Sequence, residues 1–199
     1  MSISSASIQR TKWYRGNMAK NIYENNLREL IKTIDYCFKG KESFSGLILL
    51  YSLIDIMAWL SRDQHDADST KSDFIRWVEE FLLPGSSLVC TAEDLYSARC
   101  SIIHSYAPEW GTSMSSQSEV KQIFYIWGKA HKGTLGGHVN SSSEKKDENV
   151  VLHLDDLVNA LKIAIQRFND SLTYNRALSE LIDERSKKFF ISIAKEELE

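Results

Sequence analysis

The sequence has few residues that interrupt helices and few that build cross-linked or metal-bound frameworks. Only two prolines and nine glycines occur among its 199 residues, so long helices are tolerated. The three cysteines, Cys37, Cys90 and Cys100, are far apart, and none forms a C-x-x-C pair. This odd, scattered set argues against a disulfide framework or a zinc knuckle and favours reduced thiols in a cytoplasmic protein.

A strong charge imbalance and a long uninterrupted apolar run are also missing. The formal net charge is -3 at pH 7, so a nucleic acid partner would have to bind a local basic patch. The most apolar stretch, 44–60, contains Asp55 and is short for a membrane span. We therefore expect it to form a buried central helix, with no membrane contact. The first fifteen residues lack the apolar core of a signal peptide.

Apolar residues recur at helical spacing along most of the chain. Capping-box pairs mark two helix starts, at Thr70 with Asp73 and at Thr91 with Asp94. The predicted helices cover about 17–38, 43–62, 70–83, 91–107, 155–172 and 177–198. The predicted fold class is thus all-α, an up-and-down helical bundle formed by a single domain over 1–199.

One segment departs from the helical pattern. Residues 120–127 and 150–154 are rich in aromatic and β-branched side chains, with several glycines between them. They predict a small β-rich insertion at about 111–154, for which a hairpin is one form. Its middle contains His131 and His138, but their spacing fits no zinc template, so we predict no metal site there. His65 lies in a polar loop and is expected to be solvated.

The stretch from Asp94 to Tyr106 combines three residues suited to phosphate chemistry without a metal or other cofactor. Arg99 is permanently charged, and His104 can accept a proton near neutral pH. On an ideal α-helix a five-residue step is a rotation of about 140°, so Arg99 and His104 would not share one narrow face. Tyr106, seven residues after Arg99, would be nearly in line with it. Two chains related by a two-fold axis could bring both pairs to one cleft.

Each of these residues also has a structural interpretation. Asp55 is a carboxylate in an apolar helix, where it needs a partner. It either bonds to a hydroxyl or a backbone end, or it faces the region of Arg99 and His104. Arg99 could pair with Asp94 or Asp55, His104 could cap the end of its helix, and Tyr106 could belong to the core.

The sequence Arg99-x-x-x-x-His104-x-Tyr106 resembles the R-x4-H-x-Y signature of HEPN-domain proteins. This resemblance implies an all-α domain that dimerises through the motif helices, and often a metal-independent endoribonuclease acting as a toxin or defence effector. His104 would then be the general base on a ribose 2′-hydroxyl, and Arg99 would bind the scissile phosphate. Tyr106 would position the phosphate, bond to the histidine, or be the target of an antitoxin that nucleotidylates it.

Three hypotheses about function follow. The first is a homodimeric HEPN-type ribonuclease in the cytoplasm, with RNA as substrate and a possible antitoxin or regulatory partner. The second is a HEPN module that binds RNA or nucleotide without cleaving it, which Cys100 favours because active members commonly carry a polar residue after the arginine. The third is a structural or regulatory helical dimer, which a neutral or acidic surface around Arg99 would favour.

Overall fold

The part of the chain that the structure describes is mostly helical and contains one small parallel sheet. A computed structural model describes residues 23–62, 70–105, 120–128 and 149–189, and their side chains except those of 104–105 and 187–189. The coarse prediction of a helical protein with a small β-rich part is confirmed. Residues 1–22, the loop at 63–69, the segments 106–119 and 129–148, and 190–199 lie outside the described residues.

The elements follow one another in an order close to the predicted one. Helix α1 covers 23–39 among the described residues, and α2 follows at once. Helices α3 and α4 each continue into a turn of π-helix. The bounds are α2 Ser43–Ser61, α3 Lys71–Trp77 with a π turn Val78–Leu82, α4 Ala92–Cys100 with a π turn Ser101–Ser105, β1 Gln122–Ile126, β2 Asn149–His153, α5 Leu154–Tyr174 and α6 Arg176–Phe189.

Both predicted capping boxes form. The Thr70 side chain accepts a hydrogen bond from the Asp73 backbone, and the Asp73 carboxylate accepts one from the Thr70 N–H at 2.9 Å. Thr91 and Asp94 repeat this arrangement at the start of α4. Each box satisfies backbone N–H groups that a helix start leaves without partners, which explains why α3 and α4 begin where they do.

Helix α2 is the centre of the core, as its composition predicts. Leu50, Tyr51, Leu53, Ile54 and Met57 are all fully buried. This helix is also long and apolar enough to cross a membrane by length and composition alone, a test that the core helix of a soluble protein passes as well. Half of its most apolar window is buried within the protein, which is compatible with a core helix.

The two strands are parallel, so a hairpin is the wrong form for the β-rich segment. Gln122 pairs with Asn149, and the register continues to Ile126 and His153. A parallel pair needs a crossover of about a dozen residues or more, and the intervening stretch 127–148 is long enough. The amino-acid pattern of a strand does not encode the direction of its partner, which is why composition alone predicted the strands but not their orientation.

The sheet is tied into the helical core. Ile123, Ile126 and Leu152 are buried, and the hydroxyls of Tyr51 in α2 and Tyr125 in β1 lie 2.5 Å apart. The Asp94 carboxylate, besides capping α4, accepts a hydrogen bond from the Lys121 N–H at 2.6 Å. These contacts fix β1 against α2 and α4, the two helices that carry the candidate site residues.

Candidate functional site

A cleft of about 500 Å³ lies where α2, the start of α3 and the end of α4 meet. Its lining combines charged, hydroxyl and apolar side chains. The lining residues are Ser52, Asp55, Ile56, Trp59, Thr70, Lys71, Phe74, Tyr96, Arg99 and Ile103. Two of them are cations and one is an anion, so the charges of the described lining give a net positive cleft in a protein of net negative charge.

Asp55 and Arg99 form an ion pair across this cleft. Oδ2 of Asp55 accepts a hydrogen bond from Nε of Arg99 at 2.9 Å and lies 2.8 Å from Nη2 of the same guanidinium. The side chains are 28% and 20% exposed, so water screens the pair only in part. Partial burial lowers the pKa of Arg99, but the hydrogen bonds and charge of Asp55 outweigh it and the pKa is raised. The arginine is therefore held in one orientation and stays charged.

This pair decides between the two expectations for Asp55. The Asp55 carboxylate binds Arg99, which is 44 residues later in the sequence, as the second expectation required. The alternative pairing of Arg99 with Asp94 is wrong, because Asp94 is buried and its carboxylate oxygens bind the backbone N–H groups of Thr91 and Lys121. An Asp55–Arg99 pair serves a stabilising role and a site role equally well, so it does not by itself assign a function.

Tyr96 lies between the two cations of the cleft. The Lys71 ammonium is 5.5 Å from the centroid of its ring, and the Arg99 guanidinium carbon is 6.0 Å from it. Both distances are within the range of cation–π attraction. Burial raises the pKa of Tyr96, and the neighbouring Cys100, which shares a hydrogen bond with the phenol, raises it further. The ring thus forms a neutral, electron-rich surface that draws Lys71 and Arg99 together.

Cys100 contacts the arginine without lining the cleft. Its Sγ is 3.9 Å from Nη1 of Arg99, a long and weak contact. All three cysteines are free thiols, as predicted: Cys37 is buried, and Cys90 and Cys100 are half-buried. Among the described residues, no group of three His, Cys, Asp or Glu side chains is placed to hold a metal ion.

The backbone after Arg99 departs from the ideal helix. Residues Ser101–Ser105 form a π-helical turn, in which hydrogen bonds step five residues along the chain instead of four. A π turn contains more residues than an α-helical turn, so the rotation about the helix axis per residue is smaller. Two residues five apart within a π turn therefore differ in direction by less than the about 140° of an ideal α-helix. The backbone of His104 lies in this turn, whereas Arg99 lies in the α-helix just before it. The side chain of His104 and all of Tyr106 lie outside the described residues.

The sequence did not single out Trp59, Tyr96 and Lys71 as site residues, although all three line the cleft. Trp59 follows Asp55 by four residues, and Tyr96 precedes Arg99 by three, so helical spacing around the two predicted residues points to both. Lys71 has no such signal, because it comes from another helix and reaches the cleft only through tertiary packing.

Comparisons of the whole chain with protein-family models, with curated proteins and with solved structures find no match. The resemblance to HEPN domains through Arg99, His104 and Tyr106 therefore stays a prediction, carried by those residues alone.

Proposed function

We propose that this protein is a metal-independent endoribonuclease of HEPN type, with a role as a toxin or defence effector. The observation that carries the proposal is the placement of Arg99. It is held by Asp55 in a cleft whose cations outnumber its carboxylates, and its helix continues through a π turn that contains His104. π turns occur frequently at functional sites, where they re-aim the residues they carry.

In the proposed reaction, His104 takes the proton of a ribose 2′-hydroxyl, and the freed oxygen forms a bond to the adjacent phosphorus. The bond from phosphorus to the 5′-oxygen breaks, and that oxygen takes up a proton. The products are a 2′,3′-cyclic phosphate and a 5′-hydroxyl. Arg99 stabilises the extra negative charge on the phosphate as the new bond forms. Its pairing with Asp55 supports this role, because a guanidinium already fixed in place reorganises little during the reaction.

The charge around Arg99 supports an RNA ligand over a purely structural dimer. A neutral or acidic surface would favour the structural alternative, whereas Lys71 and Arg99 together exceed the single charge of Asp55. We further propose that two chains associate through the Arg99–Tyr106 stretch, which would bring two motif helices to a common cleft. An antitoxin or regulatory partner that blocks this cleft belongs to the same proposal.

A second candidate function is an RNA-binding module without catalysis. Two observations favour it: the Asp55 carboxylate engages two nitrogens of Arg99, and the residue next to Arg99 is the weakly polar Cys100. A carboxylate so close to the guanidinium competes with a phosphate for the same N–H groups. The two functions differ in whether the RNA chain is cut.

The test is incubation of the purified full chain with single-stranded RNA in excess chelator, followed by identification of the product ends. We expect cyclic phosphate ends from the wild type, and rates lower by about 100-fold to 10,000-fold for His104→Ala, the usual contribution of a general base. Arg99→Gln should lose about 100-fold to 1,000-fold. Arg176→Gln is the matched control, since this arginine is 92% exposed on α6 and should leave the rate unchanged.

Intact RNA with a folded wild-type protein that nevertheless binds it would select the non-catalytic module. Equal rates for the wild type and His104→Ala would trace the cleavage to a contaminant and would remove the support for the nuclease. Absence of both cleavage and binding would leave the structural or regulatory dimer.

A further inference from the structure

Besides the ion pair, the cleft contains a second cation and an apolar wall that the reaction itself does not use. The cation is Lys71. The wall consists of the half-buried Ile56, Trp59 and Ile103, with the buried Phe74 behind them. We propose that these groups form a subsite for one nucleotide of a single-stranded RNA, in which Lys71 binds a phosphate next to the one at Arg99 and the wall receives an unstacked base. This inference rests on the proposed function, because it takes RNA as the ligand.

Lys71 is placed to contact a phosphate beside Arg99. Its ammonium lies 5.5 Å and the guanidinium carbon of Arg99 lies 6.0 Å from the centroid of the same Tyr96 ring, so both cations border one ring and can contact the same strand. The lysine is exposed and forms no ion pair with a carboxylate among the described residues, whereas Arg99 is paired with Asp55. A compact ammonium with three donors suits a phosphate oxygen.

The apolar wall suits a base rather than a second phosphate. Bases of any sequence stack or pack on aromatic side chains, and the volume of the cleft is within the usual range for small-ligand sites. A base face packs on such a wall only when the base is unstacked, since the faces of bases in a duplex are covered by their stacked neighbours. The ligand class is therefore a single strand.

Two arginines pack against the ring of Trp59. The guanidinium carbons of Arg62 and Arg185 lie 4.6 Å and 5.6 Å from the centre of its ring. Nη1 of Arg185 donates to the backbone oxygens of Leu60 at 2.7 Å and Arg62 at 2.6 Å, which fixes that guanidinium at the end of α2. Arg62 is itself buried, which places its guanidinium against the Trp59 ring and away from solvent. A wall that is already ordered loses little conformational entropy on binding.

The test measures binding separately from cleavage. The probe is a single-stranded oligonucleotide with 2′-O-methyl riboses, which lacks the attacking hydroxyl, and the protein is the full chain. Kd is measured by fluorescence anisotropy over a range of salt concentrations. We expect Lys71→Ala to reduce the slope of log K against log salt by about 0.7, the contribution of one phosphate contact on a single strand. Lys71→Arg should restore the slope, and Lys39→Ala, at an exposed lysine outside the cleft, should leave it unchanged.

Trp59 gives the complementary signature. Trp59→Leu should raise Kd by about 5-fold to 150-fold, the usual effect of losing a stacking aromatic, without changing the salt slope. Trp59→Phe should keep most of the affinity because the ring is retained. The wild type should also bind the single strand more tightly than the same sequence in a duplex. Circular dichroism of each variant verifies that it is folded.

The outcomes separate this inference from the proposed function. If the wild type cleaves RNA but the Lys71 and Trp59 variants bind like the wild type, the subsite is wrong and the nuclease stands. If the variants show the predicted effects but no RNA is cut, the subsite stands and the nuclease is wrong. Equal affinity for duplex and single strand, or no binding of either, overturns the subsite.

Discussion

The ion pair between Asp55 and Arg99 should couple α2 to α4 energetically, and a double-mutant cycle measures this coupling. The changes are Asp55→Asn and Arg99→Gln, alone and together, because both remove a charge while keeping a polar side chain of similar size. Each single variant leaves one charged group in the cleft without its described partner. The double variant leaves neither, so the cycle isolates the interaction between the two.

The expected size follows from how far the pair is screened. Fully exposed ion pairs contribute about 0 to 1 kcal/mol, and breaking a buried pair costs about 3 to 5 kcal/mol. The Asp55 and Arg99 side chains are 28% and 20% exposed, and Oδ2 of Asp55 lies 2.9 Å from Nε, which donates to it, and 2.8 Å from Nη2. We therefore expect a coupling free energy of about 2 kcal/mol, between those two limits.

Urea unfolding of the four proteins, followed by circular dichroism, gives the coupling. The matched control is the pair of Arg176 and Glu180, whose side chains are 92% and 67% exposed on α6 and whose coupling should be smaller because solvent screens it. If the Asp55–Arg99 variants add within about 0.5 kcal/mol, the range for independent sites, then the pair does not hold the arginine and its proposed positioning role is wrong.

Three further predictions concern the frame around the cleft. Asp94→Ala should lower the free energy of unfolding by about 2 to 3 kcal/mol in urea titrations, because two backbone N–H groups, one of them that of Lys121, lose their acceptor. Asp73→Ala should lower the free energy of unfolding by less, because Asp73 forms the equivalent cap of α3 but does not bind the backbone next to β1. Burial, followed by the charge of Asp94, raises the pKa of Cys90 from 9.0 to about 12. Between pH 9 and pH 12 the thiol loses its proton in the unfolded chain but keeps it in the folded protein. The free energy of unfolding should therefore fall as the pH rises, by at most about 1.4 kcal/mol per pH unit. Cys90→Ala should remove this contribution to the pH dependence. Leu53→Ala, at a fully buried position of α2, should cost about 2 to 5 kcal/mol in the same titration, and a loss under 1 kcal/mol would contradict the central place of α2.

The parts of the fold that sequence analysis predicted well are those with local signals. The two capping boxes fix where α3 and α4 begin, and both signals lie within four consecutive residues. The apolar run of α2 was predicted over 43–62 and spans Ser43–Ser61. Strand direction had no such signal, because the parallel pairing of β1 and β2 is a contact between distant parts of the chain. The two π turns, Val78–Leu82 and Ser101–Ser105, were likewise not indicated by the residue pattern, which predicted continuous helices there.

The same division holds for the candidate site. A carboxylate in an apolar helix needs a partner, so the sequence predicted that Asp55 has one, with Arg99 among the two alternatives, and the structure shows that it is Arg99. Lys71 could not, since nothing near it in sequence indicates that the start of α3 meets the end of α4. The step of about 140° between Arg99 and His104 was predicted for an ideal α-helix, and it stays a prediction, although the backbone has a π turn at Ser101–Ser105 that the sequence did not indicate.

The most direct test of the proposed nuclease is the chemical identity of the RNA ends made in the presence of chelator by the wild type and by His104→Ala. We expect 2′,3′-cyclic phosphate and 5′-hydroxyl ends from the wild type, and almost none from the variant at equal protein concentration. RNA that stays intact with folded wild-type protein, or products with 3′-hydroxyl and 5′-phosphate ends, would contradict a reaction in which His104 activates a ribose 2′-hydroxyl and Arg99 binds the phosphate.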